Sequence, residues 1–370
     1  MPLDNLHTLS LTIPTLNLTP GKCYASSKRL WQGIPGIERT VGGRLYATWY
    51  SGGDIEGPDN HVLLVRSEDC GLTWSEPLLV IDPPGLVRAF DPVVWADPLG
   101  RLWFFWSQSF CQRLPQWRTW NGRGGVWFIR CDAPDASIPI WTAPSRIADG
   151  VMMNKPIVRA NGEWLLPISG WGNVEPKLPE LQPEALSNLY VSTDEGRSFQ
   201  RRGGSDVPFR TFDEHMVVER RDGSLWMLVR TQYGIGQSTS TDGGATWTPG
   251  MPAAIAGPGS RFHLHRLPGP NGRLLLINHL NFTGRSHLTA SLSDDDGLTW
   301  SSHLLLDERA DVSYPDATIL ADGRIFVIYD RERHAAKEIL LAGFTEADVL
   351  ASSPGSAGSF LKRIVSKGGV

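Results

Sequence analysis

The sequence predicts an all-β fold, a six-bladed β-propeller with four antiparallel strands per blade, and three observations carry that prediction. A corner of the form S-x-D-x-G-x-[ST]-[WF] occupies residues 67–74, 240–247 and 293–300, and recurs in worn form at 192–199. A Gly-centred turn that leads into an apolar run occurs at Gly43, Gly100, Gly162, Gly223, Gly272 and Gly323. Its period of roughly fifty to sixty residues suits four-stranded blades. Gly and Pro are plentiful, and only the short stretch from Glu346 to Leu350 carries a helical pattern, which removes the helical and mixed classes.

Each unit then reads in order as an inner strand A, the Gly turn, strand B, a B–C loop, strand C, the Asp corner and an outer strand D. In the corner the Asp side chain is suited to accept backbone N–H groups of its own turn. The Gly takes the positive φ that other residues resist, and the aromatic residue buries itself alongside. Asp69, Asp194, Asp242 and Asp295 are therefore assigned to structure. In the second unit the corner has decayed to Cys131-Asp132-Ala133-Pro134 ahead of Trp141, and in the sixth it is absent after residues 340–344. Residues 9–13 alternate in polarity, so an N-terminal outer strand closing the ring is expected there. Repeat folds grow by adding units, and residues 1–370 are read as a single propeller domain.

Alternating strands sort the chain by face. The Gly turns and Asp corners share one face, while the openings of the A strands and the B–C loops share the other, where function is expected. Two of these loops are long: residues 107–125, with Trp117 and Trp120 as prospective platforms for sugar rings, and residues 169–188.

Composition excludes several functions. A formal net charge of −4 leaves no electrostatic footprint for nucleic acid or an anionic membrane. Residues 1–19 lack a basic start followed by an apolar run, so no signal peptide or membrane span is expected. The four cysteines have no metal-ligand spacing, and reduced thiols in a cytoplasmic protein are the plain reading. No cofactor and no metal are implied, and the expected partner is a carbohydrate.

The residues opening the inner strands converge on the axis of a propeller. They are Gly33-Ile34-Pro35, Phe90-Asp91-Pro92, Asn154-Lys155-Pro156, Asp213-Glu214-His215, Arg261-Phe262-His263 and Ser313-Tyr314-Pro315-Asp316. A bare scaffold has no need of so many ionisable groups at one point, and crowded charges are how acid and base roles become separated.

With these motifs the chain resembles the sialidase (neuraminidase) superfamily of Asp-box, or BNR-repeat, proteins. The resemblance runs through nearly the whole length by way of the repeat. It implies a retaining exo-glycosidase of acidic or related terminal sugars. Tyr314, opening the last inner strand, matches the family's nucleophile, and Glu214, opening the fourth, matches the carboxylate that takes its proton. The loop Ser51-Gly52-Gly53-Asp54-Ile55-Glu56-Gly57-Pro58 resembles the loop of the acid/base, which implies Asp54 first and Asp59 second. Arg230 and Arg285 match two of three carboxylate-binding arginines. The third belongs to an R-I-P motif, where this chain reads Gly33-Ile34-Pro35, and glycine is no substitute for a guanidinium fork. Arg261, Lys155 or Arg88 are the cations near strand openings that are available to replace it.

Chemistry supports the same reading. A phenol with a pKa near 10 needs a neighbouring carboxylate to become a nucleophile, and a neutral nucleophile is favoured where the sugar carries a negative charge beside the anomeric carbon. Asp91, His263 and His61 complete the set of expected substrate contacts. Two alternatives remain open: a uronate lyase using His263 or His215 with Tyr314, and a non-catalytic sugar-binding propeller.

Overall fold

In the computed structural model, residues 8–111, 123–171, 178–269 and 272–370 are described. Trp117 and Trp120 lie outside them. Six antiparallel sheets stand around one axis, and each is built from contiguous chain. The inner strands are β2 (Gln32–Arg39), β6 (Val87–Ala96), β10 (Ile157–Val158), β14 (Met216–Glu219), β18 (His263–Arg266) and β22 (Val312–Ile319). The Gly turns join them to strands β3 (Leu45–Ser51), β7 (Leu102–Phe110), β11 (Trp164–Ser169), β15 (Leu225–Thr231), β19 (Leu274–Asn278) and β23 (Ile325–Arg331). Fully buried apolar side chains such as Trp49, Trp103, Trp226 and Phe326 fill the spaces between sheets.

The corners follow the chemistry read from their sequence. Asp242 accepts hydrogen bonds from Thr246 N at 2.9 Å and Thr246 Oγ1 at 2.6 Å, while Ser240 Oγ accepts one from Gly244 N at 2.8 Å. Asp69, Asp194 and Asp295 repeat the pattern on Thr73, Ser198 and Thr299. The corner glycine has a second task. A Cβ on Gly297 would stand 2.3 Å from Trp226 of the preceding blade, and one on Gly244 2.4 Å from Leu189 of the blade before it. The corner thus sets blade-to-blade packing as well as its own turn.

The ring is not closed by residues 9–13. They curl on themselves, with Leu11 N bonded to Thr8 O and Thr12 N to Leu9 O. The sixth blade needs no borrowed strand, because β25 (Phe360–Lys367) completes it from its own end of the chain. The N-terminal contribution is β1 (Leu16–Asn17), a fifth strand on the outer edge of the first blade, paired with β5 (Leu79–Ile81). Where the sixth corner is missing, a short helix, α1 (Glu346–Ala351), begins from a capping box in which Thr345 and Asp348 satisfy each other's backbone N–H.

Candidate active site

Three inner strands open with the same device. β2, β6 and β22 each slip register, between Gly33 and Gly36, Phe90 and Val93, and Ser313 and Asp316. The residue before proline in each takes a left-handed conformation: Ile34 at φ 59°, Asp91 at 48° and Tyr314 at 55°. A bulge with positive φ re-aims a side chain that would otherwise follow the strand's alternation. Glu214 arrives by a harsher route, as the last of three consecutive left-handed residues, Phe212 (56°), Asp213 (54°) and Glu214 (44°). Arg230 N holds this segment by donating to Asp213 O at 2.8 Å.

These devices converge on an axial pit of about 250 Å³, lined by Ile34, Tyr50, Glu56, Arg88, Asp91, Met153, Trp171, Phe212, Glu214, Arg230, Arg285, Tyr314 and Arg333. At its centre the Tyr314 hydroxyl donates to Glu214 Oε1 at 2.5 Å, and Arg230 Nη1 donates to the same oxygen at 2.5 Å and to the phenol oxygen at 3.0 Å. Burial, and then the Glu214 charge, push the Tyr314 phenol up to about 12 against the pull of Arg230, Arg285 and Arg333. The phenol therefore keeps its proton at neutral pH.

Asp91 is in the opposite situation. Neither of its buried carboxyl oxygens has a hydrogen-bond donor. Burial drives its pKa well above the ordinary carboxylate range; Arg88 opposes this, and Glu56 and Glu214 reinforce it. Two carboxyls of one pit thus differ in their partners: Glu214 Oε1 accepts two hydrogen bonds and Asp91 accepts none.

The first B–C loop sends a different carboxylate inward from the one expected. Glu56 lines the pit, whereas Asp54 is exposed and turns its backbone carbonyl toward His334 at 3.2 Å. Asp59 is also exposed and outside the lining.

The space left by Gly33 is filled. An ideal Cβ on Gly33 would fall 2.7 Å from Arg333 Cδ and 2.9 Å from its Cγ and Nε. Arg333 stands two residues past the end of β23 and crosses from the sixth blade to the first. Its Nε donates to Asp330 Oδ2 at 2.8 Å and its Nη2 to Ser313 Oγ at 3.1 Å. Its guanidinium lies 4.2 Å from the Tyr314 ring centre, and that of Arg285 lies at 5.2 Å. Burial pulls the Arg333 pKa down, but Asp330 first and then Tyr314 more than offset this, so the group stays fully charged. Arg333 escaped the sequence reading; the available signal was a basic residue just past a B strand in the blade next to Gly33.

The three proposed replacement cations are placed differently. Arg88 lines the pit, stacked 3.9 Å over Phe90. Arg261 and Lys155 do not line it. Arg261 is buried beneath, with Nε donating to Asn154 Oδ1 at 2.8 Å. Lys155 and His263 line a second cavity, about 360 Å³, whose walls include Glu38, Trp95, Thr318 and Ile319 from the far ends of the inner strands. It is the opposite mouth of the axis. Between the mouths Asp316 is held by Lys155 at 3.4 Å and His263 at 3.3 Å. His61 lies under Gly52 and edge-on to Tyr24 at 4.9 Å, outside the pit lining. His215 is also outside it, with Nε2 bonded to Asn188 O at 2.7 Å. Among the described residues no cluster of three metal-ligating side chains occurs, and no helix is long and apolar enough to cross a membrane.

Solved structures share this architecture. A Hadza microbial sialidase is 20% identical with a TM-score of 0.65, over 83% of this chain and 64% of its own, so the chain spans less than two thirds of that protein. The intramolecular trans-sialidase of Ruminococcus gnavus, in complex with oseltamivir carboxylate, is 15% identical with a TM-score of 0.67, over 90% of this chain and 98% of its own. The NanB sialidase of Streptococcus pneumoniae is 12% identical with a TM-score of 0.66, over 91% and 71%. At these identities the likeness speaks for the fold. No curated protein matches the chain. Residues 43–327, which include five of the six inner-strand openings, match the model of the BNR repeat-like domain, and this sialidase-like propeller belongs to that family.

Proposed function

We propose that the protein is a retaining exo-glycoside hydrolase acting on a terminal sugar that bears a carboxylate on its anomeric carbon. The observation that carries this reading is the contact of the Tyr314 hydroxyl with Glu214 Oε1 at 2.5 Å, under the Arg230 guanidinium. Glu214 takes the phenol proton as the Tyr314 oxygen bonds to the anomeric carbon, and the glycosidic oxygen leaves with a proton from a carboxyl of the first B–C loop. Water then displaces Tyr314 from the sugar with that carboxyl as base, and the phenol recovers its proton from Glu214. Two inversions retain configuration.

A leaving group exits toward solvent, so its proton donor belongs at the mouth. Glu56, with a side chain 42% exposed, meets that need, and Asp54 stands beside it on the same loop. Asp91 is too deep for this task, and with burial favouring its protonated form it serves as a hydrogen-bonding group for a ring substituent. Arg230 and Arg285 face the carboxylate; among the described residues Arg285 has no ion pair of its own, which suits it to an anionic ligand. A phenol at the reaction centre fits the same class, since a carboxylate nucleophile would be repelled by the substrate's charge.

The test is Tyr314→Phe assayed on aryl ketosides of carboxylate sugars and, for comparison, aryl glycosides of neutral sugars. Turnover of the acidic substrate is expected to fall by about 10⁴-fold or more with the melting temperature held. Undiminished turnover in the variant ends the reading, and a product with a new near-ultraviolet chromophore marks elimination in place of hydrolysis.

A further inference from the structure

We infer that Arg333 is a transposed member of the anion clamp: the guanidinium that position 33 does not supply is delivered from the sixth blade into the same volume. The inference rests on the carboxylate-sugar reading above and names the residue that sets its charge selectivity.

Three observations support it independently of the overall likeness. The first is steric. The aliphatic stem of Arg333 occupies the space into which a side chain at position 33 would grow, with approaches of 2.7 and 2.9 Å to an ideal Cβ. Gly33 has no positive φ, so its backbone does not require glycine. The missing side chain at this position is therefore explained by the neighbour that fills its place.

The second is orientation. Asp330 fixes the stem end through Nε at 2.8 Å, and the same carboxylate receives Ile34 N at 2.7 Å and, through its other oxygen, Ser313 Oγ at 2.7 Å. One buried acid thus ties together the first inner strand, the opening of the sixth and the arginine that bridges them. A guanidinium held by its Nε has its other nitrogens directed elsewhere, and Nη1 here reaches only Glu56 at the long distance of 3.4 Å.

The third is charge. Arg230, Arg285 and Arg333 surround the one phenol, by hydrogen bond at 3.0 Å, over the ring at 5.2 Å and over the ring at 4.2 Å. Four arginines, Arg88, Arg230, Arg285 and Arg333, line the pit against three carboxyls, Glu56, Asp91 and Glu214, and burial disfavours the charged form of Asp91, so the pit is short of negative charge.

The experiment measures binding of oseltamivir carboxylate and of its ethyl ester, which lacks the carboxylate charge, by calorimetry. The proteins are the wild type, Arg333→Ala, Arg333→Lys, and the exchange variant that combines Gly33→Arg with Arg333→Ala. The wild type is expected to prefer the acid by tenfold or more. Arg333→Ala should weaken acid binding by roughly 10–100-fold and leave ester binding within about threefold. Arg333→Lys should fall between, since it keeps the charge and loses the fork.

The exchange variant should regain most of the acid preference, because an arginine at position 33 then enters vacated space. An acid-to-ester ratio unaltered by Arg333→Ala overturns the inference. So does an exchange variant that folds, with a wild-type circular dichroism spectrum, yet binds the acid no better than Arg333→Ala. If the wild type itself binds acid and ester alike, the carboxylate-sugar reading fails first and this assignment falls with it. The two failures are therefore told apart by the wild-type ratio alone.

Discussion

The two mouths of the propeller axis, about 250 and 360 Å³, differ in how their charges are settled. At the mouth where the inner strands end, Lys155 lies between Glu38 at 3.1 Å and Asp316 at 3.4 Å and also donates to the carbonyls of Ile37 and Ala317. At the mouth where they begin, Asp91 has no donor, Glu214 leaves Oε2 unpartnered and Arg285 has no ion pair among the described residues. The backbone differs in parallel. Left-handed residues and register slips crowd the second mouth, whereas the first is framed by regular Gly turns. Lys155 with its four partners belongs to the scaffold, although Asp316 Oδ1 and both ring nitrogens of His263 lack a hydrogen-bond partner there. A carboxyl with no donor to either oxygen, held on left-handed backbone, instead marks a site suited to a ligand.

If that division holds, substitutions at the strand openings should change chemistry and those at the other end should change stability. The largest effect expected is from Glu214→Gln. The phenol loses its base, and Arg230 loses the charge opposite it. Turnover of an acidic aryl ketoside should fall by about 10⁴-fold, equivalent to about 5.5 kcal/mol, measured as kcat. A loss confined to KM would make Glu214 a binding group and weaken the contrast between the mouths.

Next is Lys155→Met, at the settled mouth. It strands Asp316, a buried carboxylate, and should cost about 3–5 kcal/mol in chemical denaturation near neutral pH. Burial alone would raise the Asp316 pKa, but Lys155 first and then His263 hold it below the ordinary carboxylate range. A depressed carboxyl contributes stability that is present above its unfolded pKa of about 4 and is lost as pH falls through the folded value. The gap between wild type and variant should therefore be widest near neutral pH and narrow below pH ~4. A raised KM for the acidic substrate without loss of stability would move Lys155 into the substrate site and erase the division.

A smaller effect separates the carboxyls of the first B–C loop. Glu56→Gln should slow the first step on alkyl ketosides by about 10²-fold and spare that step on aryl ketosides, whose leaving groups need no proton, while Asp54→Asn should slow neither. The reverse pattern would return the acid/base role to Asp54.

The scaffold was legible because its signals are local and repeated. Gly43, Gly100 and Gly223 announce a turn through their own backbone, and Asp242 bonds within four residues of itself, so the blade count could be read without any long-range contact. Tyr314 and Glu214 could be read because each opens an inner strand at a fixed offset from a Gly turn. Arg333 could not, since its place depends on Gly33, some three hundred residues away in sequence, and on how a loop crosses between the first and last blades. Asp54 and Glu56 could not be told apart, because both lie in one irregular loop whose side-chain directions no periodicity fixes. The placements of Lys155 and His263 went unseen for a related reason. A residue that opens an inner strand reaches one mouth or the other according to bulges that the sequence does not mark.

The smallest expected effect tests the scaffold end itself. Gly297→Ala places a Cβ at φ 89° and drives it 2.3 Å from Trp226, a buried ring whose Nε1 donates to Gln237 at 2.8 Å and which stacks against Arg220 at 4.6 Å. Left-handed strain contributes about 1–2 kcal/mol, and forcing the ring aside adds about 1 kcal/mol or more. Gly323→Ala is the matched control: φ is 84°, yet a Cβ there meets nothing within 4 Å, so only the backbone strain remains. Denaturation midpoints of the two variants should differ, with Gly297→Ala the less stable by about 1–2 kcal/mol. Equal losses would reduce the corner glycine to a turn former. In that case blade-to-blade packing would have to be set by the apolar strand faces alone, and the Asp corner would be a local motif with no part in holding the ring that brings Tyr314 to Glu214.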